Sequence, residues 1–98
     1  MAHLPSLQTL RAFQAAGRLQ SYSKAARELG LTHRAVSHRI RELEEQLGVT
    51  LFRRNGNSMT LTTEGQQLFG KITQGMSLLE DAFRAAGAPT PGKRRSVV

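Results

Sequence analysis

The stretch at residues 23–47, SKAARELGLTHRAVSHRIRELEEQL, decides the fold. It predicts two helices joined by a tight turn at Gly30, because glycine adopts a positive φ without the steric cost of a Cβ. Ala26 is small enough to let the second helix approach closely, and Val36 stands where an apolar anchor would pack back onto the first helix. These three residues at these offsets are typical of a helix-turn-helix, whose second helix enters the major groove of DNA.

The second helix of this stretch has an apolar and a polar face. Apolar side chains recur at helical spacing and predict a buried stripe at Val36, Ile40, Leu43 and Leu47. Successive residues of a helix are rotated by about 100°. Four polar residues therefore fall on or beside the opposite face: Arg34, Ser37, His38 and Arg41.

Hydroxyl residues and glycines mark the ends of the predicted helices. Because hydroxyl side chains satisfy free N–H groups at helix N-termini, we expect N-caps at Ser6, Ser23 and Thr32. Gly17 and Gly48 are the predicted ends of the first and third helices. The first helix carries an apolar core stripe at Leu7, Leu10, Phe13 and Ala16.

The segment after Gly48 predicts a β-hairpin and then a long helix. Residues 51–54 and 59–61 are the expected strands, and the intervening Asn-Gly favours a hairpin turn because both residues tolerate positive φ. Thr62 or Thr63 would begin the last helix, whose signals end at Gly87. Its apolar residues recur at helical spacing at Leu68, Ile72, Met76, Leu79 and Phe83.

These elements predict a mainly α fold: a winged helix-turn-helix of three helices plus a two-stranded hairpin, followed by a long helix. We expect a DNA-binding domain at residues 1–61, a linker and dimerisation helix at 62–86, and a flexible basic tail at 87–98. The apolar stripe of the long helix could pack onto its own domain, but so short a unit is not expected to cover it all, which implies a partner. Gly70 and Gly75 weaken this helix by about 1 kcal/mol each, so either two helix backbones approach closely there or the helix is locally loose.

Composition bounds the partners of this 98-residue chain. Its net charge is +7, with nine Lys or Arg against four Glu in residues 1–54, and three more cations in the tail. This division favours a polyanionic partner at the helix-turn-helix. Cysteine is absent, so we expect no thiolate metal site. No apolar run is long enough to span a membrane and no secretory signal is evident, so we expect no membrane partner and a cytoplasmic location.

Residues 7–65 resemble the N-terminal DNA-binding domain of LysR-type transcriptional regulators. The resemblance is carried by LxxFxAA at 10–16, SYSKAARELGLT at 21–32, AVSHRIRELEEQLGVTLFRR at 35–54 and LTTEG at 61–65. The helix that follows, to Ala86, matches the linker helix of that family in position and apolar spacing. The resemblance implies a winged helix-turn-helix that dimerises through antiparallel linker helices.

The resemblance also implies the partners. One partner is double-stranded DNA that carries an interrupted inverted repeat. The other is a second copy of the chain, and a tetramer is an open alternative for a full-length protein. Two recognition helices would enter successive major grooves. A larger C-terminal effector-binding domain belongs to the resembled family, so we expect this chain to be either a shortened form or a naturally short regulator.

The expected DNA contacts come from the polar helix face and from the ends of neighbouring elements. Arginine can bind guanine O6 and N7 bidentately, while serine and histidine can reach bases or phosphates; a merely solvated helix face is the alternative. His33 is added from the resemblance, and helix N-termini with nearby cations can hold phosphate. The expected set is Ser23, Lys24, Thr32, His33, Arg34, Ser37, His38, Arg41, Arg53 and Arg54. In the resembled family positions 33 and 38 are often Gln and Arg, so no base preference is transferred.

Arg53 and Arg54 open the predicted wing. Side chains alternate along a strand, so the two are expected to differ in role. One would contact phosphate or the minor groove, and the other would pair with a carboxylate such as Glu44. The resemblance favours Arg53 near DNA.

Other functions fit the sequence less well. His33 and His38 are five residues apart, off the spacing that aligns two metal ligands on a helix, so no metal site is expected. A nonspecific nucleic-acid binder would use an aromatic stacking platform, for which 5% aromatic residues leave little material. A protein-interaction module using only the long helix stays open. The sequence shows no nucleophile with its base, no phosphate-binding glycine loop and no paired-carboxylate site, so we expect neither an enzyme nor a cofactor.

Overall fold

The computed structural model describes residues 4–56 and 58–87, so most of the predicted basic tail lies outside the described residues. The fold is mainly helical with one two-stranded antiparallel hairpin, which confirms the predicted fold class. The elements in chain order are α1 (Leu7–Leu19), α2 (Tyr22–Leu29), α3 (His33–Leu47), β1 (Phe52–Asn55), β2 (Ser58–Leu61) and α4 (Thr63–Ala85).

A hydroxyl side chain caps the N-terminus of each helix. Ser6, Thr32 and Thr62 accept hydrogen bonds from backbone N–H groups three residues later, as the sequence predicts. The predicted cap of α2 was wrong. Ser21, not Ser23, has the extended backbone of an N-cap and accepts from the Lys24 N–H at 3.0 Å, so α2 begins earlier, at Tyr22.

The predicted end of α1 at Gly17 was also wrong. The helix continues to Leu19 and ends at Gln20, which takes a left-handed conformation at φ 54°. Gly17 is buried inside the helix, because the Phe69 ring of α4 lies against it. Gly30 and Gly48 do end α2 and α3, each with φ near 70°.

The core lies where the three helices of the helix-turn-helix meet the hairpin and α4. Phe13 is fully buried at its centre, with the Phe52 ring at 5.6 Å and the Phe69 ring at 6.4 Å, both in edge-to-face geometry. The stripe predicted on α3 is buried at three of its four positions, whereas Leu47 is 46% exposed. On α1, Leu7 is 53% exposed because it lies at the rim of a groove between α1, α2 and α4.

The first strand of the hairpin is displaced by one residue from its predicted position, and the second begins one residue earlier than predicted. The register of the hairpin pairs Asn55 with Ser58, so both residues belong to the ladder. Gly56 supplies the positive φ of 63°. Leu51 lies before β1: its N–H donates to the Glu44 carboxylate at 2.8 Å, and its carbonyl accepts from the Thr62 N–H at 3.0 Å.

The long helix α4 has two unlike halves. Leu68, Phe69 and Ile72 pack against the core, so the first half is covered by its own chain. Further along, Leu79 and Phe83 are 51% and 68% exposed. The expectation of an uncovered apolar stripe therefore holds for the second half, whereas the packing of Leu68 and Ile72 follows the alternative left open by the sequence.

Candidate nucleic-acid interface

The polar face of α3 is a continuous open surface. Its six residues Thr32, His33, Arg34, Ser37, His38 and Arg41 line one shallow depression. All are exposed except Ser37, which is half-buried. The structure thus brings together every α3 residue that the sequence singled out for DNA contact.

The two arginines of this face have no carboxylate partner among the described residues. The ion pairs found there are Arg18 with Glu28 and Arg84 with Asp81, and the other close approach of a basic and an acidic side chain is that of His38 to Glu42. Arg34 and Arg41 belong to none of them. Their positive charge is therefore directed to solvent, where a polyanion can neutralise it.

Two other side chains of α3 show where this face ends. Arg39 turns to the opposite side and donates from Nη2 to Gln8 Oε1 at 2.8 Å, which ties α3 to α1. His38 Nε2 lies 3.3 Å from the Glu42 carboxylate one turn later. The first acidic side chain thus follows the cationic part of α3, and the cations are concentrated towards its N-terminus.

The N-terminus of α2 supplies a second polar segment. Ser23 and Lys24 are both exposed in its first turn. Because Ser21 is the cap, the hydroxyl of Ser23 is not needed to close the helix end. The sequence has a serine at both 21 and 23, and the local pattern alone does not distinguish which of the two caps the helix.

The wing presents both Arg53 and Arg54 as exposed side chains. The proposed pairing of one of them with Glu44 is not formed. The Glu44 carboxylate accepts instead from the Leu51 N–H at 2.8 Å and from the Phe52 N–H at 3.4 Å. The backbone of the wing's first strand therefore uses the acceptor that was expected to bind a side chain.

Tyr22 is a residue that the sequence analysis did not select for the site. Its ring lies 5.8 Å from the His33 ring, edge to face, and the Arg54 guanidinium carbon is 5.9 Å from its centroid. Burial, helped by the negative charge of Glu44, raises the pKa of Tyr22 to about 12, although Arg54 and Arg41 act in the opposite direction. Tyr22 is the sole tyrosine of the chain, and this was the one feature of the sequence that could have drawn attention to it as a site residue.

Two further observations bear on other kinds of site. Within residues 4–56 and 58–87, no group of three or more histidine, cysteine or acidic side chains could hold a metal ion. No helix of that part of the chain has the length and apolar character needed to cross a membrane.

Comparison with known proteins identifies the family. A family model described as "Bacterial regulatory helix-turn-helix protein, lysR family" matches residues 7–66. The glycine cleavage system transcriptional activator of Escherichia coli K12 is 49% identical over 81 residues, which cover 83% of this chain and 27% of that protein. The regulator TrpI of Pseudomonas aeruginosa is 55% identical over 65 residues, covering 66% of this chain and 22% of that protein. The chain thus spans about a quarter of the length of these relatives.

Solved structures agree with this match. The BenM DNA-binding domain in its complex with benA site 1 DNA superimposes with a TM-score of 0.80 at 29% identity, covering 84% of this chain and 92% of that one. Full-length CbnR complexed with its target DNA shares the fold, with a TM-score of 0.76 at 21% identity over 86% of this chain and 29% of that one. Sequence and fold lead to the same assignment, and the chain belongs to the lysR family of bacterial regulatory helix-turn-helix proteins, with the fold of their DNA-binding domain.

Proposed function

We propose that this chain binds double-stranded DNA sequence-specifically as a homodimer and forms the DNA-binding part of a transcription regulator. The observation that carries the proposal is the polar face of α3, where Arg34 and Arg41 are exposed without a carboxylate partner among the described residues. The BenM domain, similar in fold and 29% identical, is known in a complex with DNA. Two relatives of this chain, the glycine cleavage system transcriptional activator and TrpI, are transcription regulators, which supports a regulatory and not a catalytic role.

The polar face of α3 would enter the major groove. Arg34 and Arg41 are suited to guanine, while Ser37, His33 and His38 can bond to base edges or phosphates. These side chains start close to the N-terminus of α3, the end that a helix-turn-helix directs at the bases.

Other residues would hold the DNA backbone. Ser23, Lys24 and Thr32 lie in or before the first turns of α2 and α3, where the helix dipole and added charge favour phosphate. Arg53 and Arg54 would place two cations of the wing on the backbone or in the minor groove. Such contacts raise affinity without specifying sequence.

The second half of α4 would join two copies. Leu79 and Phe83 are exposed, and Met76 and Leu79 continue into the groove that α4 forms with α1 and α2. An antiparallel pair of α4 helices would bury these side chains. Residues 1–61 would then bind DNA and 62–86 dimerise, with 87–98 leading towards an effector-binding domain. We further propose that the protein is bacterial and that the dimer lies in the cytoplasm, where the bacterial DNA is.

Selection of bound sequences from a random duplex library tests this function. We expect enrichment of an interrupted inverted repeat, and affinity that falls steeply with salt as counterions are released. Failure to enrich any sequence, or equal competition by unrelated duplex DNA, would overturn sequence-specific binding.

Single arginine variants locate the interface. On the selected sequence, Arg34→Ala should lose about 1–3 kcal/mol of binding free energy if it contacts a base. Arg18→Ala is the matched control, because Arg18 is also an exposed helical arginine but lies on α1, paired with Glu28. Equal losses for both variants would argue against the polar face of α3 as the interface.

A further inference from the structure

Tyr22 stands where three elements of the proposed interface meet. It is the first residue of α2, and its ring contacts the first residue of α3, His33, at 5.8 Å. On the side of the wing, the centroid of the Tyr22 ring lies 5.8 Å from that of the Phe52 ring and 5.9 Å from the guanidinium carbon of Arg54. One ring thus touches a residue of the recognition helix and a cation of the wing.

We propose that Tyr22 is a positioning residue for DNA binding, whose ring holds His33 and Arg54 in place together and so fixes the wing relative to α3. The proposal rests on the DNA-binding function proposed above. It assigns Tyr22 no contact with DNA of its own.

Two of the three side chains that Tyr22 touches, His33 and Arg54, have no other directional support in the described part of the chain. Among the described residues, the side chains of His33 and Arg54 make no hydrogen bond or ion pair, and both are exposed. A free arginine side chain samples many rotamers and loses that freedom when it binds. A guanidinium placed over an aromatic face is attracted by the negative charge of the π system, which restricts it before DNA arrives.

The phenol hydroxyl is not required for this role. An ordinary tyrosine is already protonated at neutral pH, and burial raises the pKa of Tyr22 further, to about 12, so Arg54 faces a neutral ring. The aromatic faces and edges provide both contacts. A phenylalanine should therefore replace Tyr22, whereas an aliphatic side chain of similar size should not.

The test compares Tyr22→Phe and Tyr22→Leu in the full chain, on the DNA sequence obtained by selection. Tyr22→Phe should bind within about twofold of the unaltered chain, and Tyr22→Leu roughly threefold to thirtyfold more weakly, as expected for loss of one cation–π and one aromatic contact. Phe69→Leu is the matched control, because Phe69 also makes an edge-to-face contact in the core but lies on α4. It should lower thermal stability, and any loss of DNA affinity that it causes should add to that of Arg54→Ala at a temperature where all variants are folded.

A double-mutant cycle separates positioning from general stability. If Tyr22 acts through Arg54, Tyr22→Leu should cost little further affinity once Arg54→Ala is present. Fully additive losses, or equal affinity of Tyr22→Leu and the unaltered chain, would overturn the proposal. Should Tyr22→Leu not fold, a fluorinated phenylalanine at position 22 keeps the ring shape but weakens its negative face, and it should reduce affinity as well.

A measurement without DNA keeps this proposal distinct from the proposed function. In nuclear magnetic resonance spectra of the free protein, the ring current of residue 22 should shift the Arg54 side-chain protons in the unaltered chain and in Tyr22→Phe, and not in Tyr22→Leu. An absent shift in the unaltered chain overturns the positioning role whatever the DNA result. A shift in a chain that selects no DNA sequence would instead refute the proposed function, and with it the use of this contact in binding.

Discussion

Two glycines of α4 show how much the surroundings of a single residue matter. A Cβ on Gly65 would lie 2.2 Å from the Leu51 carbonyl oxygen, which is backbone and cannot move aside alone. A Cβ on Gly70 would meet nothing within 4 Å. The same residue type is therefore required for packing at one position and is only a weak point of the helix at the other.

Alanine substitutions should move stability in opposite directions at these positions. Gly65→Ala should destabilise the fold by roughly 1–3 kcal/mol, because α4 must shift away from Leu51. Gly70→Ala should stabilise it by about 1 kcal/mol through helix propensity. Urea unfolding of both variants, followed by circular dichroism, measures the two changes; a stable Gly65→Ala protein would contradict the close approach.

The raised pKa of Tyr22 makes stability depend on alkaline pH. The folded protein keeps its phenol proton to about pH 12, whereas an ordinary tyrosine loses it near pH 10. The unfolded chain thus releases the proton first, and stability should fall as pH rises from 10 towards 12. Because the ring is only partly buried, we expect a loss on the order of 1 kcal/mol. The free energy of unfolding is compared at pH 9 and pH 11 for the unaltered chain and for Tyr22→Phe, which should lack this loss of stability. Because both proteins have the same lysines, the effect of lysine titration cancels in the comparison.

The order and type of the elements could be predicted from the sequence, but some of their ends could not. The apolar stripe of α3 and the cap at Thr32 depend on local spacing, which the sequence shows directly, whereas the choice between Thr62 and Thr63 as the start of α4 stayed open. Whether α1 ends at Gly17 depends on the Phe69 ring of a distant helix. Local signals could not contain that information.

The same distinction applies to the candidate site. The polar residues of α3 were predictable because helical periodicity places them together. The contacts of Tyr22 were not, since they join residues of α2, α3 and β1 that are far apart in sequence. Glu44 was expected to bind an arginine, but the N–H groups at the start of β1 are nearer.

Removal of the Glu44 carboxylate should loosen the connection between α3 and the wing. Glu44→Ala leaves the Leu51 and Phe52 N–H groups without this acceptor and should cost about 1–3 kcal/mol. Hydrogen exchange at these two amides should become faster. Glu45→Ala is the control, since Glu45 is an exposed neighbour on the same helix; unchanged exchange in Glu44→Ala would show that the carboxylate does not support the wing.

At the scale of the whole molecule, the two halves of α4 predict separable defects. Leu79→Glu with Phe83→Glu introduces charge into the exposed half and should convert a dimer to a monomer, because paired helices would bury it. Sedimentation equilibrium measures the change. Gln74→Glu, an exposed polar position of α4, should stay dimeric. Folded monomers that retain full affinity for an inverted repeat would contradict dimeric binding.

Gly70 and Gly75 give a second test of the dimer. Apart from the adjacent residues and the nearby backbone of α4 itself, no atom of the described chain lies within 4 Å of a Cβ placed on either glycine. If Gly70→Ala with Gly75→Ala raises helicity and still weakens dimerisation, the steric conflict must come from the partner. Unchanged dimerisation would show that the two backbones do not approach closely there.

The contact between Gly17 and Phe69 has a consequence for the geometry of a dimer. A Cβ at Gly17 would lie 2.7 Å from the Phe69 ring, so a larger residue there must displace this ring, and where the packed core holds the ring in place it would tilt α4 against the rest of the domain. In a dimer joined through α4, such a tilt is doubled by symmetry and changes the separation of the two α3 helices. The number of base pairs between half-sites would thus be set in part by a residue buried inside one subunit, so that operator spacing can change while every residue facing DNA or the second subunit stays the same.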